Sequence, residues 1–327
     1  MNRRRFVLTS LAGAVAVPVA AEAQSSKAYR IGLLGLGTPA AAGRHVAPLV
    51  EGLRSAGYIE GRNLIIDYRF ARGQVDALPA LATELVRLNV DVIVTSGAPA
   101  ALAAKAATTT IPIVMAQVTD PVALGLVNSL ARPGGNITGL ANLHSDLGPK
   151  QLEVLRETVP RIQGVGCLCN TSNPAADLIV RHVRHAAHTM GLAVEAFEIY
   201  DPVRDLEPTF AKMAGLAVHA VIVAPDPVFF PHAATVINLA ARYRLPAVYG
   251  WSEFVEAGGL MSYGPNVPEM FRRAAYFLDR IINGAKPGDL PVEQPSKFEL
   301  IINMKTAKAL GLTIPPSLLL RADHVIE

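Results

Sequence analysis

The sequence has little charge, little sulfur and few aromatic side chains for its 327 residues. Only 17% of the residues are charged and 6% are aromatic, with two cysteines and one tryptophan. Low charge argues against a disordered chain and against a protein that coats nucleic acid, because both are rich in charge. Beyond its first residues, the chain has no apolar run of the 18 or more residues that a membrane-spanning helix needs. Its length and its apolar fraction of 51% instead predict two domains with a large buried core.

The scarcity of cysteine excludes a disulfide-rich scaffold. The two cysteines, Cys167 and Cys169, lie two residues apart in an apolar run. In a strand their side chains would share a face at about 6.5–7 Å, the long limit of what a disulfide bridges. We therefore expect two buried free thiols, and no metal site.

The segment 1–23 predicts a cleavable export signal. Three arginines at positions 3–5 precede an apolar stretch over residues 6–20, and Ala21 and Ala23 supply the small residues that signal peptidase requires. Cleavage after Ala23 would remove three arginines and one glutamate, so most of the formal charge of +3 belongs to this segment. We expect a nearly neutral protein in the periplasm, with no electrostatic attraction to nucleic acid or to an anionic membrane. The paired arginines also fit a twin-arginine signal, so the export route stays open.

Short apolar runs alternate with segments of helical length along the rest of the chain. The runs at 30–34, 64–68, 90–94 and 112–116 are almost continuously apolar, and residues 78–88 between them repeat apolar positions at helical spacing. Strands of that kind suit a parallel sheet covered on both faces. The alternation predicts an α/β, doubly wound fold.

This pattern occurs twice. Residues 35–57 align with residues 169–191, since each stretch has a strand end, a polar turn, Pro-Ala-Ala at Pro39 or Pro174, and a helix that ends at glycine. The later strands repeat at a similar offset. Two Rossmann-like lobes are therefore expected, with a central cleft between the carboxyl ends of their strands, where ligands of open α/β sheets bind.

Polar residues follow the strands of both predicted lobes. Hydroxyls and the unpaired N–H groups of a helix's first turn can bind a carboxylate, and carboxylates can bind an amine or hydroxyls. The same residue types also cap helices and form turns, so both roles stay open for each residue. The candidate ligand-binding residues are Thr38, Ser96, Thr119, Asp120, Asn170, Asn173, Asp226, Trp251 and Ser252.

Short motifs are spread over almost the whole chain beyond the predicted signal. They are residues 56–64 (AGYIEGRNL), 119–122 (TDPV), 132–139 (RPGGNITG), 258–264 (GGLMSYG), 315–317 (PPS) and 321–323 (RAD). Together they resemble a family of ABC-transporter solute-binding proteins that includes TrpX-like tryptophan and tyrosine binders. The resemblance implies a type I periplasmic-binding-protein fold with a multi-segment hinge. It also implies one lobe at 28–142 plus 260–288 and a second lobe at 143–259 plus 289–327.

The resemblance implies roles for some of the candidate residues. In aromatic amino-acid binders of this type, a Thr-Asp pair after the fourth strand and polar residues of the other lobe hold the backbone of the amino acid. Carried over to this sequence, these residues are Thr119 and Asp120, facing Asn173 and Asp226. Trp251, the single tryptophan, either stacks on a ligand ring or closes the cleft, or else is a half-buried hinge residue.

The expected function is that of a transport receptor. It would capture a small ligand, such as an amino acid or a related aromatic molecule, between two closing lobes and deliver it to an inner-membrane ABC permease. No nucleotide-binding G-x-x-x-x-G-K-[ST] motif is present, so the ATPase would be a separate subunit. We expect a monomer without catalytic residues, cofactor or metal.

Two alternatives remain at this point. One is an exported dinucleotide-dependent enzyme, because Gly32, Gly35 and Gly37 end the first apolar run, although their G-x-x-G-x-G spacing differs from the G-x-G-x-x-G that binds pyrophosphate. The other is a ligand-sensing receptor with the same fold.

Overall fold

The computed structural model describes residues 28–327, so the predicted export signal lies outside the described residues. This part of the chain forms two α/β lobes, each built around its own sheet. The first sheet has the order β2-β1-β3-β4-β5 and is parallel throughout. Its strands are β1 (Tyr29–Gly35), β2 (Leu64–Phe70), β3 (Val92–Ser96), β4 (Ile113–Val118) and β5 (Ile137–Ala141).

The second sheet has seven strands in the order β12-β11-β10-β9-β8-β6-β7. They are β6 (Gly164–Asn170), β7 (Ala193–Ile199), β8 (Ala220–Val223), β9 (Ala247–Tyr249), β10 (Met261–Pro265), β11 (Phe298–Asn303) and β12 (His324–Ile326). Strands β10 and β11 run antiparallel, and the other neighbouring pairs of this sheet are parallel. The predicted α/β fold with two doubly wound lobes is confirmed.

Helices cover the sheets of both lobes. The helices of the first lobe are α1 (Pro39–Ser55), α2 (Leu78–Arg87), α3 (Ala98–Ala107) and α9 (Val267–Ile282). Those of the second are α4 (Gly148–Thr158), α5 (Ala176–Thr189), α6 (Pro202–Gly215), α7 (Ala233–Arg242), α8 (Ser252–Glu256), α10 (Met304–Ala309) and α11 (Pro316–Leu319).

Helix α9 returns to the first lobe and packs against α1, β4 and β5. It begins after Asn266, whose Oδ1 accepts a hydrogen bond from the N–H of Glu269 at 2.9 Å, and it buries one apolar face. Helices α1 and α9 approach closely at Gly52, where an added Cβ would lie 2.8 Å from the Cβ of Ala275. The glycine therefore sets the separation of these two helices.

The described chain crosses between the lobes after β5, between β10 and α9, and before β11. The expected lobe boundary at 260 is wrong for β10, because Met261 pairs with Val248 and Ile302 of the second sheet. The boundary at 288 is also early, since the N–H of Glu293 still donates to the carbonyl of Gly139 in the first lobe. In both places backbone pairing, which the apolar pattern does not encode, decides the lobe.

The interior is apolar in both lobes, and one of its clusters extends from α1 and α9 into the second lobe. Cys167 and Cys169 of β6 are buried free thiols, as expected. None of the helices between residues 28 and 327 is both long enough and apolar enough to cross a membrane.

Candidate functional site

A cavity of about 30 Å³ lies between the two lobes, at the carboxyl ends of the first-lobe strands. Pockets for drug-sized ligands measure about 300–1,000 Å³, so the lobes or their side chains must move before an organic ligand can enter. Most of the cavity lining is apolar. The lining residues are Leu33, Gly35, Leu36, Gly37, Ala42, His45, Val46, Phe70, Ser96 and Phe271 from the first lobe, with Pro227 and Phe230 from the second.

A row of aromatic rings runs along the cavity and links the lobes. The ring of His45 in α1 lies 5.3 Å from the ring of Phe271 and 5.3 Å from the ring of Phe230. Phe230 in turn stacks on Trp251, with centroids 4.3 Å apart and planes 4° from parallel. Flat rings gain most by burying their faces against other rings, so this row forms a surface suited to an aromatic group.

At the far end of the row, two buried side chains have unpartnered polar atoms. The Nε1 of Trp251 and both ring nitrogens of His144 have no hydrogen-bond partner among the described residues. The two rings meet edge to face at 6.1 Å. Burial lowers the pKa of His144 to about 3, so this imidazole is neutral at physiological pH. Trp251 is buried, and it stacks on Phe230 without itself lining the cavity.

His45 also forms a hydrogen bond to a carboxylate across the cleft. Its Nε2 donates to Oε1 of Glu253 in α8 of the second lobe, at 2.6 Å. Burial alone would raise the pKa of Glu253, but the hydrogen bond and electrostatic attraction of His45, together with a backbone hydrogen bond and Arg44, leave the pKa below its ordinary value. Next to this pair, Arg44 reaches Glu256 at 2.9 Å in an exposed position. These contacts connect α1 directly to α8.

The first lobe presents the starts of α1 and α3 to the cavity. Ser96 lines the cavity directly, and Thr38 follows Gly37, another lining residue. The carbonyl of Thr38 accepts the N–H of Ala42 as α1 begins. Gly97 precedes α3 with φ of +84°, and a Cβ there would lie 3.4 Å from the Cγ of Pro227 in the other lobe. Main-chain N–H groups can therefore approach the cavity, with a partial positive charge that favours an anion.

In the second lobe, three of the predicted residues bond to each other. The buried carboxylate of Asp226 accepts hydrogen bonds from Asn170 at 3.1 Å, Asn173 at 2.7 Å and the N–H of Val228 at 2.8 Å. Burial raises the pKa of Asp226 to about 6, although these three hydrogen bonds oppose the rise. Asp226 thereby caps a 3-10 turn, Pro227–His232, that carries Pro227 and Phe230 into the cavity wall.

The remaining predicted residues lie outside the cavity lining. The Oγ1 of Thr119 donates to Oδ1 of Asn142 at 3.0 Å, where the chain first leaves the first lobe. Asp120, with φ of +40°, accepts the N–H of Ala123 at 3.0 Å, as a turn-capping residue does. Ser252 begins α8, with its hydroxyl 3.5 Å from Glu253.

Sequence reasoning missed the cavity residues that lie within elements. His45 is inside α1, Phe271 is inside α9, and only their helical positions distinguish them in the sequence. Phe230 could have been predicted from the sequence. The pair Phe229-Phe230 follows Asp226-Pro227 at a strand end, in a chain with few aromatic residues.

The chain is similar to several known proteins. The family model described as "ABC transporter substrate binding protein" matches residues 40–326. A tyrosine-binding protein of Clostridioides difficile is 28% identical over 263 residues, which are 80% of this chain and 75% of that protein. An ABC domain from Streptococcus pneumonia in complex with L-Trp has a TM-score of 0.86 at 28% identity, covering 92% of this chain and all of that one.

The chain is also similar to a substrate-binding protein whose structure contains no ligand. The ligand-free, open structure of a substrate-binding protein from Clostridium difficile is 26% identical and covers 91% of this chain and 99% of that one, yet its TM-score is only 0.66. At nearly equal identity, this chain therefore superposes less well on the open structure than on the L-Trp complex.

These findings agree with the motifs noted in the sequence. The matched family and the solved neighbours named here are substrate-binding proteins, and the family implies a small-molecule ligand, an ABC permease as partner and an extracytoplasmic location. Because the family model spans nearly the whole of the described chain, the protein belongs to the ABC transporter substrate-binding protein family.

Proposed function

We propose that this protein captures an aromatic amino acid between its lobes and delivers it to an inner-membrane ABC permease with a separate ATPase subunit. One observation carries this proposal: the cavity between the lobes is walled by Phe70, His45, Phe230 and Phe271. Such walls favour a flat apolar group. The tyrosine-binding relative and the L-Trp complex support the same ligand class.

The two ends of the ligand would meet different surfaces. Its ring would lie in the aromatic row, next to His45 and Phe230. Its carboxylate would accept hydrogen bonds from Ser96 and from the first-turn N–H groups of α1 and α3, close to Thr38. The unpartnered Nε1 of Trp251 offers a further donor once the rings shift to admit the ligand.

The other predicted residues would support the site from behind. Asn170, Asn173 and Asp226 fix the turn that carries Phe230. Thr119 bonds to Asn142 where the chain leaves the first lobe, Asp120 caps the turn that follows, and Ser252 begins the helix that carries Glu253. Ligand contacts both lobes only when they are closed, so binding shifts the population toward the closed form that the permease recognises. We also propose that residues 1–23 direct export of the protein to the periplasm. There it would act as a monomer.

The test is isothermal titration of the purified protein with L-tryptophan, L-tyrosine and L-phenylalanine, with L-leucine, L-glutamate and D-ribose as controls. Saturating ligand at 100 times its dissociation constant should add about 2.7 kcal/mol to the free energy of unfolding, so thermal unfolding gives a second readout. We expect binding of at least one aromatic amino acid and loss of that binding in Phe230→Ala. Binding of L-glutamate or ribose alone would contradict the proposed ligand class.

A further inference from the structure

The hydrogen-bonded pair of His45 and Glu253 differs from the neighbouring pair of Arg44 and Glu256 in its burial. The His45 side chain is 9% exposed and the Glu253 side chain 11%, whereas Arg44 and Glu256 of the neighbouring pair are 67% and 52% exposed. Exposed pairs contribute little because water screens them, but breaking a buried pair leaves a charge without a partner. The buried pair is therefore the stronger of the two links between α1 and α8.

The two partners belong to different lobes and have different positions relative to the cavity. His45 lines the cavity, and its ring is held between Phe230 and Phe271. Glu253 does not line it, and reaches the imidazole from behind, on α8 of the second lobe. Separation of the lobes would remove Glu253 from His45 and leave the ring without its hydrogen-bond acceptor.

We propose that Glu253 is a positioning residue that fixes the His45 wall of the ligand cavity from the opposite lobe, and so latches the lobes closed. The hydrogen bond between His45 and Glu253 joins the two lobes, so it stabilises the closed form relative to the open one and slows the release of a bound ligand. The ligand part of this inference rests on the proposed function, but the latch itself does not, because it acts in the empty protein.

The test compares Glu253→Ala, Glu253→Gln and His45→Phe with a matched control, Arg44→Gln, which lies next to His45 on α1. Two quantities are measured for each: the radius of gyration of the ligand-free protein by X-ray scattering, and the affinity and dissociation rate for L-tyrosine. Trp251, the single tryptophan, reports binding of L-tyrosine by its emission, because it stacks on Phe230 of the cavity wall. Thermal unfolding verifies that each variant is folded.

Glu253→Ala should expand the ligand-free protein and weaken L-tyrosine binding by about tenfold or more, mainly through faster dissociation. Glu253→Gln keeps an oxygen acceptor for the imidazole N–H and should recover part of the loss. Arg44→Gln should change affinity less than about twofold, as expected for an exposed pair. In a double-mutant cycle on the radius of gyration of the ligand-free protein, His45→Phe should add little to Glu253→Ala, since either change removes the same link between the lobes.

Equal radii of gyration for wild type and Glu253→Ala, or additive effects in the double-mutant cycle, would overturn the latch. If Glu253→Ala fails to fold, Glu253→Gln and His45→Phe still provide the comparison with Arg44→Gln. If neither L-tyrosine nor L-tryptophan binds the wild-type protein, the proposed ligand class fails, and the scattering comparison alone decides the latch.

Discussion

The two lobes have the same α/β pattern, yet they contribute different chemistry to the cleft. The first lobe brings most of the wall, including the rings of His45, Phe70 and Phe271, together with glycines and Ser96 at the strand ends. The second lobe brings an aromatic turn, held from behind by the buried cluster of Asp226, Asn170 and Asn173. Polar residues at a strand end can therefore face a ligand in one lobe and support a wall in the other.

The pH dependence of the free energy of unfolding tests the buried cluster around Asp226 in the second lobe. The folded-state pKa of Asp226 is raised to about 6, above its unfolded value, so its contribution to stability is complete below about pH 4 and is lost as the pH rises through 6. The full loss is about 3 kcal/mol. Urea unfolding from pH 4 to pH 8 should show this loss in wild type relative to Asp226→Asn. Parallel curves for the two proteins would contradict it.

Phe230→Ala tests the aromatic wall that the cluster supports. The ring stacks on Trp251 and contacts His45, and it is partly buried, so its removal should cost about 2 kcal/mol of unfolding free energy. Affinity for an aromatic amino acid should fall as well. Urea unfolding and titration measure the two effects, with the conservative variant Phe230→Leu as control. An unchanged affinity would show that the ligand lies elsewhere in the cleft.

Gly97→Ala tests the main-chain side of the cleft. At φ of +84° a side chain is strained, and the new Cβ would press on Pro227 only when the lobes are closed. We expect a loss of about 1.5 kcal/mol in stability and a weaker affinity. Gly57→Ala, also at positive φ but with no atom near its Cβ, is the control for strain alone. Equal loss of affinity in both variants would exclude a role for the contact with Pro227.

Asp120→Ala should have the smallest effect. Asp120 accepts the N–H of Ala123 in a turn, so the expected cost is about 1 kcal/mol of stability with little change in ligand affinity. Asp120→Asn keeps the acceptor and tolerates the positive φ, so it should unfold like the wild type. A large loss of affinity with unchanged stability would instead assign Asp120 to the amine of the ligand.

Much of the fold could be predicted because its signals are local. The apolar runs and helical spacing give the order of strands and helices, and the repeat of residues 35–57 at 169–191 gives two lobes. The boundary at 260 failed because the short strand β10 (Met261–Pro265) has no sequence pattern that ties it to one sheet, and only its pairing with β9 and β11 assigns it to the second.

The site was predicted less completely than the fold. Ser96 lines the cavity and Thr38 follows the lining residue Gly37, while their binding of ligand stays a prediction. Asp226 was correctly placed at a strand end, but its sequence position does not reveal that Asn170 and Asn173 take up one of its oxygens. Which polar group bonds to which depends on distances of a few tenths of an ångström between strands far apart in the chain.

The sequence by itself determined the fold class, the two lobes, the family and the position of the cleft at the strand ends, because these depend on periodicity and on short motifs. Only the tertiary structure decided which side chains line that cleft. His45 and Glu253 are 208 residues apart, and no local pattern relates them. Their 2.6 Å contact exists because the two lobes meet at the cleft, which places α1 beside α8.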